Sequence, residues 1–307
     1  MKASILSKTK SLELSNFPKI DDMSCNNLLD LPVGCLSHIL SLTSPRDVVR
    51  SSAVSTDFLS ASKSDAIWNN FLPSDCDYFL SQSSIPIDQQ QFASKKDLFF
   101  SLCQFPILFD NKTQSFALDK SSGKKCYMLG ARMLMIAWGE TPAYWSWRFI
   151  PESRFPETAQ LNSVCWFDIK GRLPIKFLSA DTTYGAYFVF QKVVHSFAGF
   201  YGPVKASVLE SDQEGLSKSY EDHRLVANHY FIGDQDFDEP TCWLDADELP
   251  VERGDGWMEI EMGRYHVGSG VEAFDERVVL EMALMEVEDL SWKSGLLVQG
   301  IELRPLD

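Results

Sequence analysis

The sequence lacks the short motifs that mark many enzyme families. It contains no G-x-G-x-x-G or Walker loop, no G-x-S-x-G turn and no H-E-x-x-H helix. Its five histidines are never spaced as metal ligands; His223 and His229 could approach Cys242, but polar surface side chains explain them more simply. Carboxylates paired for glycoside hydrolysis are conceivable, although an acidic solvated surface is the simpler reason for them. We therefore expect a non-catalytic chain without metal or cofactor.

Long apolar runs are also missing. Residues 1–22 are rich in Ser and Lys, contain no apolar block of the secretory type, and are predicted to be a disordered lead-in. No run approaches the roughly 18 apolar residues of a membrane-spanning helix. The seven cysteines are scattered and form no C-x-x-C pair. These absences predict an intracellular protein with reduced thiols, in which the sequon at Asn111 stays unglycosylated.

Basic residues are in short supply. Lys and Arg number 28 against 43 Asp and Glu, which leaves a formal net charge of −15. This charge argues against a nucleic-acid backbone or an anionic membrane as the main partner. The 307 residues, of which 45 % are hydrophobic, can bury a sizeable core. They suggest two domains, or one large domain with an appendage.

Residues 31–73 carry the periodicity of three short helices with a shared apolar side. Leu36, Ile39 and Leu40 lie on one face of the first helix. The predicted helices begin at Pro32, at Ser44-Pro45 and at Ser64-Asp65. A unit of this size buries little surface alone, so it either packs on a neighbouring part of the chain or binds a partner.

The same stretch resembles an F-box, which we place at residues 23–73. The family's Leu-Pro opening falls on Leu31 and Pro32, its Ser-Pro-Arg-Asp helix start on residues 44–47, and its late tryptophan on Trp68. The resemblance implies docking onto a Skp-type adaptor, and through it onto a cullin ubiquitin ligase. The residues expected to bury apolar surface against the adaptor are Leu31, Pro32, Leu36, Ile39, Leu40, Val48 and Trp68.

Beyond the helices, a connector over residues 74–108 is predicted to pack on one or both neighbours. It contains a short helix that Ser94 caps and Pro106 ends, preceded by a loop over residues 81–91. From residue 109 strand alternation takes over, and the polar stretch 211–255 is predicted to hold long loops. The predicted strands are 116–118, 126–129, 164–169, 175–178 after a turn at Lys170-Gly171, a central 184–194, 258–262, 278–285 and 296–303.

The fold class that follows is α+β. A small three-helix unit precedes an all-β antiparallel sandwich of jelly-roll type, because many strands with long connections and almost no helix favour that architecture.

Aromatic residues are concentrated in WGETPAYWSW, residues 138–147. The stretch holds Trp138, Trp145 and Trp147, with Tyr144 beside them. Indole combines a flat apolar face with one N–H donor, which suits ligands such as sugars that have apolar faces and polar edges. The alternative, which spacing alone does not exclude, is that all three tryptophans are core residues.

Five further stretches carry a second resemblance, over roughly residues 109–305. They are FALDKSSGKKCYMLGARMLMIAWGETPAYWSW, RFPETAQLNSVCWFDIKGRL, YGAYFVF, GDGWMEIEMG and VVLEMALMEVEDLSWKSGLLVQGIELRPL. In this order they resemble the plant phloem protein 2 domain, and we assign residues 109–307 to it. The resemblance implies a lectin-type β-sandwich, in the cytoplasm and nucleus, that binds N-acetylglucosamine oligomers and N-glycan cores.

The resemblance also implies site residues. The family's binding tryptophans fall on Trp138 and Trp145, and one of its two acidic site residues falls on Glu286. The other falls on Val279, which removes a hydrogen-bond acceptor; Glu281 lies two residues further on the same strand face and is a possible substitute. Strict alternation puts residues 279 and 286 on opposite faces, so the family geometry requires a bulge or a strand end.

Together the two resemblances predict the substrate-recognition subunit of a Skp–cullin–F-box ubiquitin ligase that selects glycosylated targets. A second hypothesis is a stand-alone lectin or interaction module whose helices simply pack on the sandwich. A third is a sandwich that recognises a protein surface, with tryptophans that are purely structural.

Overall fold

The computed structural model describes residues 31–87, 91–211, 228–230, 232, 249–269 and 277–306. The predicted lead-in, most of the loops predicted in 211–255, and His223 and Cys242 lie outside them. The helices are α1 (Val33–Ser41), α2 (Pro45–Ser51), α3 (Thr56–Ala61), α4 (Asp65–Phe71), α5 (Cys76–Gln82) and α6 (Lys95–Gln104). None of these helices is long and apolar enough to cross a membrane.

Strands are the main elements of the described chain after α6, so the predicted class of short helices followed by an antiparallel sandwich is confirmed. The strands are β1 (Ile107–Phe109), β2 (Gln114–Leu118), β3 (Lys125–Gly130), β4 (Met135–Ile136), β5 (Trp145–Arg148), β6 (Thr158–Leu161), β7 (Phe167–Pro174), β8 (Thr182–Lys192), β9 (Val204–Ser211), β10 (Asn228–Tyr230), β11 (Val251–Glu252), β12 (Met258–Val267), β13 (Val279–Glu286) and β14 (Leu296–Pro305).

Serine caps start helices where the sequence predicts them. Ser44 Oγ accepts from the Asp47 backbone N–H at the start of α2, and Ser94 Oγ accepts from the Asp97 N–H at the start of α6, both at 3.1 Å. Each cap satisfies a backbone donor that the first helical turn leaves without a partner.

The helical unit differs from the prediction in having four helices instead of three. The chain beyond Pro45 does not continue as one helix, because α2 ends at Ser51 and α3 begins afresh. Ser52 Oγ donates to Val49 O at 2.6 Å, and Ser55 Oγ accepts from the Phe58 N–H at 3.3 Å. Short hydroxyl side chains bonded to nearby backbone compete with helix continuation.

Helix α5 is a further departure, since the sequence analysis predicts no helix there and places a loop from residue 81. Its buried residues Cys76, Phe79 and Leu80 are spaced three and four apart, as one helical face requires. This spacing extends over only five residues, but it was the one feature of the sequence from which the helix could have been predicted.

Two antiparallel sheets form the sandwich. The larger, sheet A, has the order β1-β2-β3-β14-β8-β12-β11, with β6 joined to β14 and β5 to β6. The smaller, sheet B, has the order β10-β9-β13-β7-β4. Strand β8, predicted as central, lies between β14 and β12.

The predicted turn at Lys170-Gly171 is wrong. Strand β7 runs straight through it, and Ile175–Phe177 forms a 3₁₀ turn instead of a strand. A Cβ on Gly171 would lie 3.0 Å from Ile301 Cδ1 and 3.2 Å from Leu134 Cδ2. The glycine is therefore explained by close packing between the sheets, not by a turn.

Helices and sheets share one continuous core. Phe79 of α5 stacks on Phe116 of β2, with ring centroids 4.0 Å apart and planes at 5°. Lys125 of β3 pairs with Asp75, just before α5, at 2.5 Å. Connector residues therefore tie the helical unit to sheet A.

Candidate functional site

Trp138 lies in a strained turn after β4. Its φ of 55° is in the left-handed region, which costs a bulky residue about 1–3 kcal/mol. Hydrogen bonds fix the turn, because the Ala137 N–H donates to Asp168 O at 3.0 Å and the Gly139 N–H donates to Ile136 O at 2.9 Å. The side chain is nonetheless 48 % exposed. Strain that the surroundings enforce on an exposed side chain is typical of ligand sites.

Trp145 occupies a different environment. It is 2 % exposed, and its indole N–H donates to Ala137 O at 3.1 Å. The predicted role of Trp145 as a ligand contact is therefore corrected, because a ring buried on strand β5 presents no face to solvent. It supports the Trp138 turn from inside. The aromatic partner of Trp138 in this stretch is the partly buried Tyr144, whose ring centroid lies 5.5 Å from that of Trp138 at an angle of 45°.

Trp147 is covered by a cation. The Arg132 guanidinium lies 3.5 Å from its ring centroid, and Glu157 holds that guanidinium with hydrogen bonds of 2.8 and 2.9 Å. The hydrogen bonds raise the pKa of Arg132 and lower the pKa of Glu157. The three tryptophans therefore divide into one half-exposed ring, one buried ring and one ring under an arginine.

Glu286, the predicted acidic contact, is structural. Its side chain lies at the end of β13, and Oε1 accepts from the backbone N–H groups of Glu288 at 3.1 Å and Asp289 at 2.7 Å. Oε2 forms an ion pair with Lys293, whose side chain is completely buried. Lys293 Nζ also donates to Asp289 O at 2.6 Å and to Ser291 O at 3.0 Å. The pair closes the loop over residues 287–293, and both carboxylate oxygens are engaged within the chain.

Val279 and Glu281 do not restore a second acidic contact. Strand β13 pairs with β7 without a register shift from Val279 to Glu286, so Val279 and Glu286 lie on opposite faces of the strand. Glu281 lies 3.5 Å from Arg172, which pairs opposite it on β7. Val279 is itself 6 % exposed. The bulge that would bring both family positions together is absent from β13.

No metal centre is visible in the described part of the chain. Within it, no three His, Cys, Asp and Glu side chains come close enough to hold an ion.

The helical unit buries four of the seven residues that the sequence assigned to the adaptor surface. Leu36, Val48 and Trp68 are completely buried and Leu40 is 3 % exposed. Trp68 also donates its indole N–H to Ser62 O at 2.7 Å. These four residues form the unit's own core, which corrects their assignment as adaptor contacts. Pro32 and Ile39 remain exposed, and Leu31 is partly buried.

A different set of apolar side chains faces solvent on α1–α3 and the turns between them. We call it the apolar helix surface. Its members are 38 to 74 % exposed and comprise Val33, Ile39, Leu42, Val49, Val54 and Leu59. Sequence reasoning missed five of them because apolar residues occur on both sides of these short helices, and periodicity then does not say which side is the core. A helix with apolar residues around most of its circumference is expected to bury two sides. This feature of the sequence could have indicated a second contact surface on these helices.

Two family models match the chain. The phloem protein 2 model matches residues 124–305, which is more than half of the sequence. The F-box-like model matches residues 28–74. The chain belongs to the phloem protein 2 family. Within it, this member carries an F-box-like domain ahead of the sandwich.

Relatives from Arabidopsis thaliana combine the same two parts in their names. F-box protein PP2-B10 is 41 % identical over 281 residues, covering 89 % of this chain and 92 % of the relative. F-box protein PP2-B15 is 36 % identical over 282 residues, covering 90 % of this chain and 96 % of the relative. A xylan-binding domain from Paenibacillus barcinonensis aligns at 12 % identity with a TM-score of 0.30, over 58 % of this chain and 88 % of that domain, which is too weak to support an argument.

Proposed function

We propose that this phloem protein 2 family member is the target-recognition subunit of a Skp–cullin–F-box ubiquitin ligase in the cytoplasm and nucleus. The helical unit binds the Skp-type adaptor, and the sandwich binds a glycan of the target. The observation that carries the proposal is the apolar helix surface. Its six large apolar side chains are exposed on α1–α3 and the turns between them, while other side chains of these helices form the core, and exposed apolar patches mark interaction sites.

Adaptor binding buries this surface. Leu42 and Val54 are 74 and 63 % exposed, so they have the most apolar area to lose. Burying each contributes about 1–2 kcal/mol, at the usual value per area of apolar surface. An acidic side chain at either position would instead bring an unpaired charge into the interface, which is strongly unfavourable.

The ubiquitin-transfer chemistry belongs to the partner enzymes. This chain contributes proximity, since holding a target next to a reactive centre makes a bimolecular step effectively intramolecular. The helices and sheet A share one core, so the adaptor side and the sandwich are joined through packed side chains such as Phe79 and Phe116.

Co-purification with a plant Skp-type adaptor tests the ligase role. The variant Leu42→Glu with Val54→Glu is compared with Ile85→Glu with Val194→Glu, a matched control at apolar residues that are 67 and 76 % exposed outside the apolar helix surface. We expect wild type and control to retain the adaptor and the first variant to lose it. A wild type that retains no adaptor, or a first variant that binds like the control, would contradict the proposal.

One observation favours a second candidate function, a stand-alone lectin or interaction module. The continuous core between the helices and sheet A is also what a helical extension of the sandwich would show. This candidate predicts a protein that binds glycans but does not co-purify with the adaptor. If the sandwich recognises a protein surface instead, chito-oligosaccharides will cause no change in tryptophan fluorescence.

A further inference from the structure

We infer that Trp166 and Asp168, at the start of β7, complete the carbohydrate site with Trp138. The inference rests on the proposed carbohydrate-binding function and names the residues that carry it. They take the roles that the sequence analysis gave to Trp145 and Glu286.

Strand pairing brings the three residues together. Strand β4 pairs antiparallel with β7 through Met135 with Lys170 and Ile136 with Ile169. The hydrogen bond from Ala137 N–H to Asp168 O, at 3.0 Å, continues this pairing by one residue. The chain directly after Ala137 therefore lies beside the first residues of β7. Antiparallel spacing puts the backbones of Trp138 and Trp166 within about 10 Å of each other.

Alternation along β7 puts Asp168 on the outer face of sheet B, and Trp166 lies in the bend that leads into the strand. Phe167 and Ile169 are completely buried and face the core. Side chains of neighbouring strand residues point to opposite faces, so Asp168 lies on the solvent side. Trp166 is 43 % exposed, close to the 48 % of Trp138. Asp168 thus lies two residues from one half-exposed indole along the chain, and its backbone is bonded to Ala137, the residue before the other.

The carboxylate has an oxygen that the described residues leave without a hydrogen bond. Asp168 Oδ2 lies 3.5 Å from Lys170 Nζ. Asp168 Oδ1 is buried, and no donor in the described part of the chain reaches it. Buried carboxylate oxygens nearly always accept hydrogen bonds, and leaving one unmet is costly. The Asp168 side chain is 23 % exposed, so a rotation of its carboxylate would bring Oδ1 to the surface, where a sugar hydroxyl or an acetamide N–H would supply the donor.

The chemistry fits a short oligosaccharide of N-acetylhexosamine. Indole faces stack on the apolar faces of sugar rings, and a carboxylate between them fixes a hydroxyl or amide. Two indoles with separated backbones contact different sugar units. The contribution of Trp166 should therefore grow from the monosaccharide to the trisaccharide.

Isothermal titration of the full-length protein with tri-N-acetylchitotriose tests the inference. The variants are Trp166→Ala and Asp168→Asn, which keeps the side-chain shape and the backbone bond to Ala137. We expect Kd to rise at least about tenfold in each, as expected for a lost stacking ring or a lost charged acceptor. The controls are Phe149→Ala and Asp57→Asn, an exposed aromatic residue and an exposed carboxylate on α3 in the helical unit, and they should bind like wild type.

The outcomes separate the inference from the function on which it rests. Binding that Trp138→Ala abolishes, but that Trp166→Ala and Asp168→Asn leave unchanged, would overturn the inference and preserve the carbohydrate function. A wild type that binds no chitotriose would overturn both. Thermal unfolding is measured alongside, since Asp168→Asn is expected to keep the wild-type midpoint; weaker binding that appears only together with a lower midpoint would also contradict the inference.

Discussion

The Trp138 turn and the Glu286–Lys293 pair show opposite ways of placing a residue in the same sandwich. Trp138 is half-exposed on a strained backbone. Glu286 and Lys293 are buried, paired with each other, and bonded to the backbone of the loop that they close. Both regions come from strong sequence motifs. The difference teaches that a residue matched by a motif can be an exposed candidate for ligand contact or a buried part of the architecture, and that burial and hydrogen-bond partners tell the two apart.

The largest expected effect is at Trp145, which supports the Trp138 turn from inside. Trp145→Ala removes a buried ring and the hydrogen bond to Ala137 O, so the free energy of unfolding should fall by about 5 kcal/mol. Chemical denaturation measures it. Trp145→Phe is the matched control and should lose about 1–2 kcal/mol, since it keeps most of the ring. Equal and small losses in both variants would mean that Trp145 is not a core residue.

Breaking the buried ion pair comes next. Lys293→Met leaves the Glu286 carboxylate buried without its cation, and the free energy of unfolding should fall by about 3–5 kcal/mol. The double variant Glu286→Leu with Lys293→Met removes both charges and should be more stable than the single variant. If the single and double variants have the same stability, the two side chains are not coupled.

For the exposed Trp138 we expect the opposite result, a small effect on stability and a large effect on binding. Trp138→Ala should change the free energy of unfolding by less than about 1 kcal/mol, because the ring is half-exposed and surface substitutions have small effects. Chitotriose binding, measured by titration, should nevertheless be lost. A variant that unfolds much more easily yet binds normally would reverse the comparison between Trp138 and Trp145.

The smallest effect concerns the ion pair that covers Trp147. The Arg132 hydrogen bonds hold the pKa of Glu157 below its ordinary value of 4.5, so the folded state binds fewer protons than the unfolded state. The stabilisation is thus present above about pH 4.5 and is lost as the pH falls through the folded-state pKa. Because the Glu157 side chain is 48 % exposed and solvent screens the pair, the pair contributes less than about 1 kcal/mol. Glu157→Gln should remove this part of the acid dependence in unfolding measured from pH 3 to 6; an unchanged dependence would contradict it.

Local signals predicted a large part of the fold. Ser44 and Ser94 each accept a hydrogen bond from a backbone N–H three residues further along the chain, so these caps could be predicted directly from the sequence. The long apolar strand β8 was likewise recognisable as central. The break between α2 and α3 depends on weak competition by Ser52 and Ser55. Gly171 is explained by its contacts with Leu134, just before β4, and Ile301 of β14, which are distant in the sequence. Such contacts leave no local pattern.

The candidate site was less predictable for the same reason. Spacing gives Trp138 and Trp145 equal standing, and only the turn between β4 and β5 exposes one and buries the other. Whether Glu286 is free to contact a ligand depends on its ion pair with Lys293, seven residues further along the chain, and the sequence does not show that pair. In the helical unit, periodicity marked Leu36 and Trp68 as apolar. Whether they face a partner or the chain's own core depends on the packing of α1 against α3 and α4 for Leu36, and of α4 against α6 for Trp68.

The measurement that tests the account most directly is a titration with tri-N-acetylchitotriose followed through the indole N–H signals in a proton–nitrogen NMR spectrum. Assignment by single Trp→Phe variants identifies the signals of Trp138, Trp145 and Trp166 among the eight tryptophans. The account predicts that Trp138 and Trp166 shift with saturation while Trp145 stays in place. A shift confined to Trp145, or no shift at any of the three, would contradict it.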